Sequence, residues 1–167
     1  MRALAIFAAL ALLAPTTAPA AGTSIPFGFV DFCKLHAAEC QPSTRSAVTY
    51  STTLMRELGR LNVTVNRAIR PLADVEEVWS IAPVAGDCDD YVMTKRHYLI
   101  EAGFPQSALR LAVVKTAAGE GPLVLVVVTT QGKFVLDNLR DDVHRLEHID
   151  HKPVKISTAD PFVWILF

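Results

Sequence analysis

Gly86-Asp87-Cys88-Asp89-Asp90-Tyr91, read together with Phe134-Val135-Leu136-Asp137-Asn138-Leu139 further on, sets a thiol at the start of one element and a carboxylate at the end of another. A loop closed by Gly86 precedes Cys88, and Tyr91, Val92, Tyr98, Leu99 and Ala102 follow at helical spacing, so Cys88 opens a helix. A thiol in that place meets free backbone N–H groups and the positive end of the helix dipole, which favour a thiolate and can hold a developing oxyanion. Asp87, Asp89 and Asp90 act against this by crowding the sulfur with negative charge. Either they are ordinary helix-start acids or a cation sits among them. Carboxylates this dense suit a hard, oxygen-seeking ion such as calcium, although the EF-hand loop pattern is absent.

Outward from this helix the chain divides in two. Before it, Leu54, Leu58, Leu61, Val65 and Ile69 form one apolar helical stripe that Pro71 terminates. After it, Gly103 and Pro105 break the chain, and strand-like runs follow at 109–115, 123–130, 133–137, 153–156 and 161–167, with Gln131-Gly132 as a hairpin turn. Helices first and strands second predict an α+β fold, with N-terminal helices packed on an antiparallel sheet.

The first residues fix the compartment. Met1-Arg2, an apolar run over residues 3–14 and Ala18-Pro19-Ala20 make a secretory signal over residues 1–20, with cleavage after Ala20 and a single domain over 21–167. That run is shorter than the roughly twenty residues a bilayer requires, so the mature chain is expected to be periplasmic or secreted without a membrane span. Three cysteines in an oxidising compartment leave one over. Cys33 and Cys40 are close enough for a local disulfide, which export favours over two buried thiols. Cys88 is then the odd thiol, a candidate nucleophile whose plain alternative is an inert core cysteine. Loss of Arg2 lowers sixteen basic residues to fifteen against seventeen acidic ones, a formal charge near −2. No basic stripe exists to meet a phosphate backbone, which sets nucleic acid aside.

Trp79 with the nearby Pro83, the specific core Gly86-Asp87-Cys88-Asp89-Asp90-Tyr91, the following Lys95-Arg96, Phe104-Pro105 and Gly132-Lys133-Phe134-Val135-Leu136-Asp137-Asn138-Leu139 together resemble the bacterial transglutaminase-like cysteine peptidases. The start of the mature chain, Phe27 to Cys33, is similar as well. The resemblance spans nearly all of the mature chain and implies a papain-like fold, with the nucleophile at a helix N-terminus and the histidine and acid on neighbouring strands. It also implies relatives that are periplasmic, calcium-dependent proteases of large surface adhesins. On matching positions Cys88 is the nucleophile, Asp137 the triad acid, and Asp87 and Asp89 the acids that serve calcium.

The sequence departs from the family at the histidine. Counting back from Asp137 and Gly132, Pro122 stands where the family carries its base, and proline accepts no proton. Positions 122, 124, 126 and 128 share a sheet face with Asp137, and the face expected to present an imidazole to Cys88 holds only Pro and Val. His97 lies on the wrong side of the Cys88 helix, and His36 lies within the cysteine loop. His144, His148 and His151 follow the Asp137 strand and read as surface residues that could fold back. Two readings result. The preferred one is a catalytically impaired family member that binds a protein or peptide partner, with Asp137 kept to cap a turn; the alternative is an active thiol peptidase with a relocated histidine.

Overall fold

The computed structural model describes residues 22–73 and 77–167. The signal segment 1–20 and its cleavage point lie outside the described residues. In chain order the elements are β1 (Gly22–Thr23), α1 (Phe27–Leu35), α2 (Thr52–Ala68), β2 (Arg70–Pro71), β3 (Ala85–Gly86), α3 (Cys88–Glu101), β4 (Leu109–Lys115), β5 (Leu123–Thr129), β6 (Gly132–Leu136), β7 (His144–Arg145), β8 (Lys152–Ser157) and β9 (Trp164–Leu166). No helix among the described residues is long and apolar enough to cross a membrane.

Local chemistry sets the helix ends. Ser51 caps α2, its side chain accepting the Leu54 N–H at 3.0 Å. The helix stops at Ile69, which is extended ahead of Pro71, and the chain then pairs β2 in parallel with β3. A left-handed Gly103 (φ 86°) ends the turn after α3. Cys33 and Cys40 are joined by a disulfide with Cα atoms 5.8 Å apart, which closes the segment after α1.

Seven strands form an antiparallel sheet in the order β1-β9-β8-β4-β5-β6-β7. This is the α+β arrangement, and the alternation along β5 explains how both sheet faces are covered. Leu123, Leu125 and Val127 pack with Val92 and Met93 of α3 and Leu58 of α2. Val124 and Val126 point the other way, toward Val135, Leu146 and Ile156. A strand buried on both faces reads as a continuous apolar run, as Leu-Val-Leu-Val-Val-Val does here. The second face is closed by the connection from β7 to β8. Because β7 borders β6 while β8 lies beyond β4, residues 146–151 must cross the sheet, and Leu146 and Ile149 pack beneath that crossing.

The long elements match the sequence expectation, and the ends of the strands differ from it. Thr129 pairs with Gly132, so Thr130-Gln131 make the two-residue turn and Gly132 begins β6. The Thr129 hydroxyl accepts the Gln131 N–H at 3.1 Å and donates to the Gly132 carbonyl at 2.9 Å, which tightens the connection there. Only Trp164–Leu166 of the expected terminal strand pairs with β8, because the preceding residues turn back, with the Val163 N–H donating to the Asp160 carbonyl at 3.1 Å.

Candidate active site

Cys88 is the first residue of α3, and the helix start is built by reciprocal capping. The Asp87 side chain accepts the Asp89 N–H at 3.3 Å, while Asp90 returns a carboxylate oxygen to the Asp87 N–H at 3.2 Å. The other Asp90 oxygen accepts the Ser80 N–H at 2.8 Å, tying the preceding loop to the helix. Gly86 is required beside this arrangement, since a Cβ there would fall 1.9 Å from an Asp90 carboxylate oxygen. Of the three acids, Asp90 is thus structural, and Asp87 and Asp89 remain to act on the thiol.

The sulfur packs against the start of β5. The Leu123 N–H points to Cys88 Sγ at 3.4 Å, so the neighbouring Pro122 stands at the thiol. A groove of about 400 Å³ opens there, lined by Asp87, Cys88, Glu120, Pro122, Asn138 and Leu139 among others, and no histidine of the described residues lines it. Burial pushes the Cys88 thiol up to about 11; the Leu123 N–H pulls it down, and the charges of Asp87 and then Asp89 raise it further. The sequence expectation weighed the acids and the helix start, and the largest cause is the burial of the sulfur. Burial also raises the Asp89 carboxyl, to about 9, with the hydrogen bond to Asp87 and its charge next in size.

Asp137 follows β6 and is 5% exposed, so its carboxylate needs partners. One oxygen accepts the Leu139 N–H at 2.9 Å, which caps the turn. The other lies 3.0 Å from His151 Nε2. His151 is therefore not the surface residue expected from the polar sequence around it. It is carried to Asp137 by the crossing of residues 146–151 over the sheet. The shared face of Val124, Val126 and Asp137 follows from the pairing of Val126 with Val135, as expected, but that face meets the crossing segment and not α3. The expectation that it would face Cys88 is corrected by this packing. At the thiol itself stand the first residue of β5, Leu123, and Pro122 before it.

The other histidines are engaged elsewhere. His97 Nδ1 lies 2.5 Å from Glu39, His36 stacks on Phe32 with ring centroids 4.4 Å apart, and His144 Nε2 lies 2.6 Å from Asp142. His148 is exposed. The structure thus brings Cys88 to Pro122 and Asp137 to His151, in two separate hollows: none of the groove residues at Cys88 lines the hollow of Asp137, Arg140, His144 and His151.

For a metal, the donor atoms of Asp87, Cys88 and Asp89 all lie within 4.8 Å of one another. The two carboxylates fit a hard cation such as calcium, and a cation there would relieve the charge that now raises Asp89; the sulfur does not suit calcium.

The sequence model of the bacterial transglutaminase-like cysteine proteinases matches residues 20–167. No curated protein matches the chain. Among solved structures, Legionella pneumophila LapG is similar, with a TM-score of 0.56 and 19% identity over 82% of this chain and 75% of that one. Its calcium-bound form has a TM-score of 0.58 and 21% identity over 81% of this chain and 87% of that one. Its EGTA-treated form has a TM-score of 0.57 and 20% identity over 82% and 75%. At these identities the likeness concerns the fold.

Proposed function

The chain belongs to the family of bacterial transglutaminase-like cysteine proteinases, and from that premise we propose that it binds a protein or peptide partner in the periplasm or outside the cell, with its own peptidase chemistry suppressed. The working unit is the domain of residues 21–167 left after removal of the signal segment. The observation that carries this reading is the lining of the Cys88 groove, which holds the thiol and Pro122 and, among the described residues, no histidine. A thiol held near 11 has about one thiolate in ten thousand at neutral pH, and no imidazole stands in the groove to take its proton. Glu120 and Asp87 at the rim, with exposed Leu139, supply charge and apolar contact for an extended segment.

Asp87 and Asp89 would hold calcium, whose chemistry here is counter-charge to the acids around the sulfur. A second reading is favoured by one contact, that of His151 with Asp137 at 3.0 Å: an oriented imidazole exists and could serve an active peptidase if it reached the sulfur. Cleavage of general peptide substrates, with and without calcium, separates the two. We expect no turnover above that of Cys88→Ala. Turnover that Cys88→Ala and His151→Gln both abolish would replace the binding reading with the second.

A further inference from the structure

Lys95 is buried at 0% exposure on α3, two turns after Cys88, and its ammonium has no hydrogen-bond partner among the described residues. Its ring neighbour is Tyr91, with Nζ 5.9 Å from the centroid. Three buried amide oxygens, Asn62 Oδ1, Asn66 Oδ1 and Asn138 Oδ1, have no partner among the described residues either. The three asparagines meet on one turn. Asn62 Nδ2 donates to the carbonyls of Arg140 at 2.7 Å and Asp141 at 3.1 Å, and Asn66 Nδ2 donates to those of Asp137 at 3.0 Å and Arg140 at 3.1 Å. Asn138 belongs to the same turn and lines the Cys88 groove. The charges acting on Lys95 are those of Asp137 and Asp141. Of these, Asp137 also meets His151, and Asp141 lies 3.9 Å from Arg67.

We propose that Lys95 is a positioning residue: as a buried ammonium it donates through ordered water to the amide oxygens of Asn62, Asn66 and Asn138, and so fixes the 137–141 turn that carries Asp137 and one wall of the Cys88 groove. The stoichiometry is apt, since an ammonium has three donors and no acceptor and the amide oxygens left over among the described residues number three. Leaving all four atoms unmet would cost several times the penalty of one buried polar group. Burial lowers the Lys95 ammonium to about 7, against the pull of Asp137 and Asp141; hydrogen bonds to the charged form act in the same sense as those carboxylates. Asp137 then has Lys95 on its helix side and the His151 ring on the crossing segment.

The test reads the nitrogen itself and its effect on His151. In the unaltered protein, nitrogen-detected NMR of Lys95 at pH 6 is expected to give an ammonium with slowly exchanging protons. In Lys95→Met, the side-chain amide signals of Asn62, Asn66 and Asn138 are expected to move, and the His151 titration midpoint to rise by roughly half a pH unit once the nearby positive charge is gone. Val92→Ala, which weakens the same helix without changing charge, is the control and is expected to leave that midpoint in place. A neutral amine at pH 6, an unmoved His151 midpoint in Lys95→Met, or an equal movement in Val92→Ala overturns the proposal. The NMR of the unaltered chain remains decisive if Lys95→Met does not fold. None of these readings depends on whether the groove binds or cleaves peptides, so failure here is distinct from failure of the proposed function.

Discussion

The groove at Cys88 and the hollow at His151 share no lining residue, and each holds part of a catalytic set. The groove has a thiol at a helix start and is open to solvent, yet it offers no imidazole; the hollow has an oriented imidazole and carboxylate, yet no nucleophile among the described residues that line it. The difference teaches that catalytic residue types can all be present while the thiol and the imidazole line different hollows. Strand alternation contributes, since Val135 packs on one face while Leu136 packs toward α3.

The strongest way to break the contrast is to give the groove its missing base. Pro122→His with Leu123→Ala is expected to speed alkylation of Cys88 at neutral pH by roughly 100-fold, as an imidazole beside the sulfur favours the thiolate. Asp137→Asn in that background should remove much of the gain if Asp137 orients the new ring. An unchanged alkylation rate would mean that position 122 does not present a side chain to the thiol.

Next in size is the hollow. Asp137→Ala strips the partners of the Leu139 N–H and of His151, at a cost of about 1–3 kcal/mol in chemical denaturation. His151→Gln should cost less, and it should leave the Cys88 alkylation rate unaltered. A fall in that rate would join the two hollows functionally.

Smallest is the effect of a cation at the groove. Burial raises the folded Asp89 carboxyl, so the folded state holds an extra proton between about 4, the unfolded value, and about 9. Its contribution to stability is full below about 4 and is lost as pH rises toward 9. Without calcium, melting temperature is expected to drop over that range. Calcium at ten times its dissociation constant should stabilise by about 1.4 kcal/mol at neutral pH, and Asp89→Asn should abolish that gain. A melting temperature indifferent to calcium would leave Asp87 and Asp89 as helix-start acids.

Much of the frame was legible in the residues. The loop closed by Gly86 and the helical spacing after Cys88 marked the start of α3, and the spacing of Leu54, Leu58 and Val65 marked α2. The relation of Val124 and Val126 to Asp137 was legible too, because strand alternation has a fixed period. Which layer covers that face was not, since it depends on where β7 and β8 join the sheet, and both pairings are long-range. His151 gave no sign of its place for the same reason. Lys95 was hidden differently: α3 is buried over an unbroken run from Asp89 to Arg96, so its polar residues could not be assigned to a solvent side by periodicity.

Among the described residues the sheet ends on each side in a strand of two residues, β1 and β7. Its centre is the Val-rich β5, the sort of segment that stacks into fibrils when its backbone is offered to other chains. Stubs this short present too few free N–H and C=O groups to recruit a neighbouring molecule by strand addition. The protein can therefore keep a sticky interior strand while the described edges of its sheet offer little backbone for self-association.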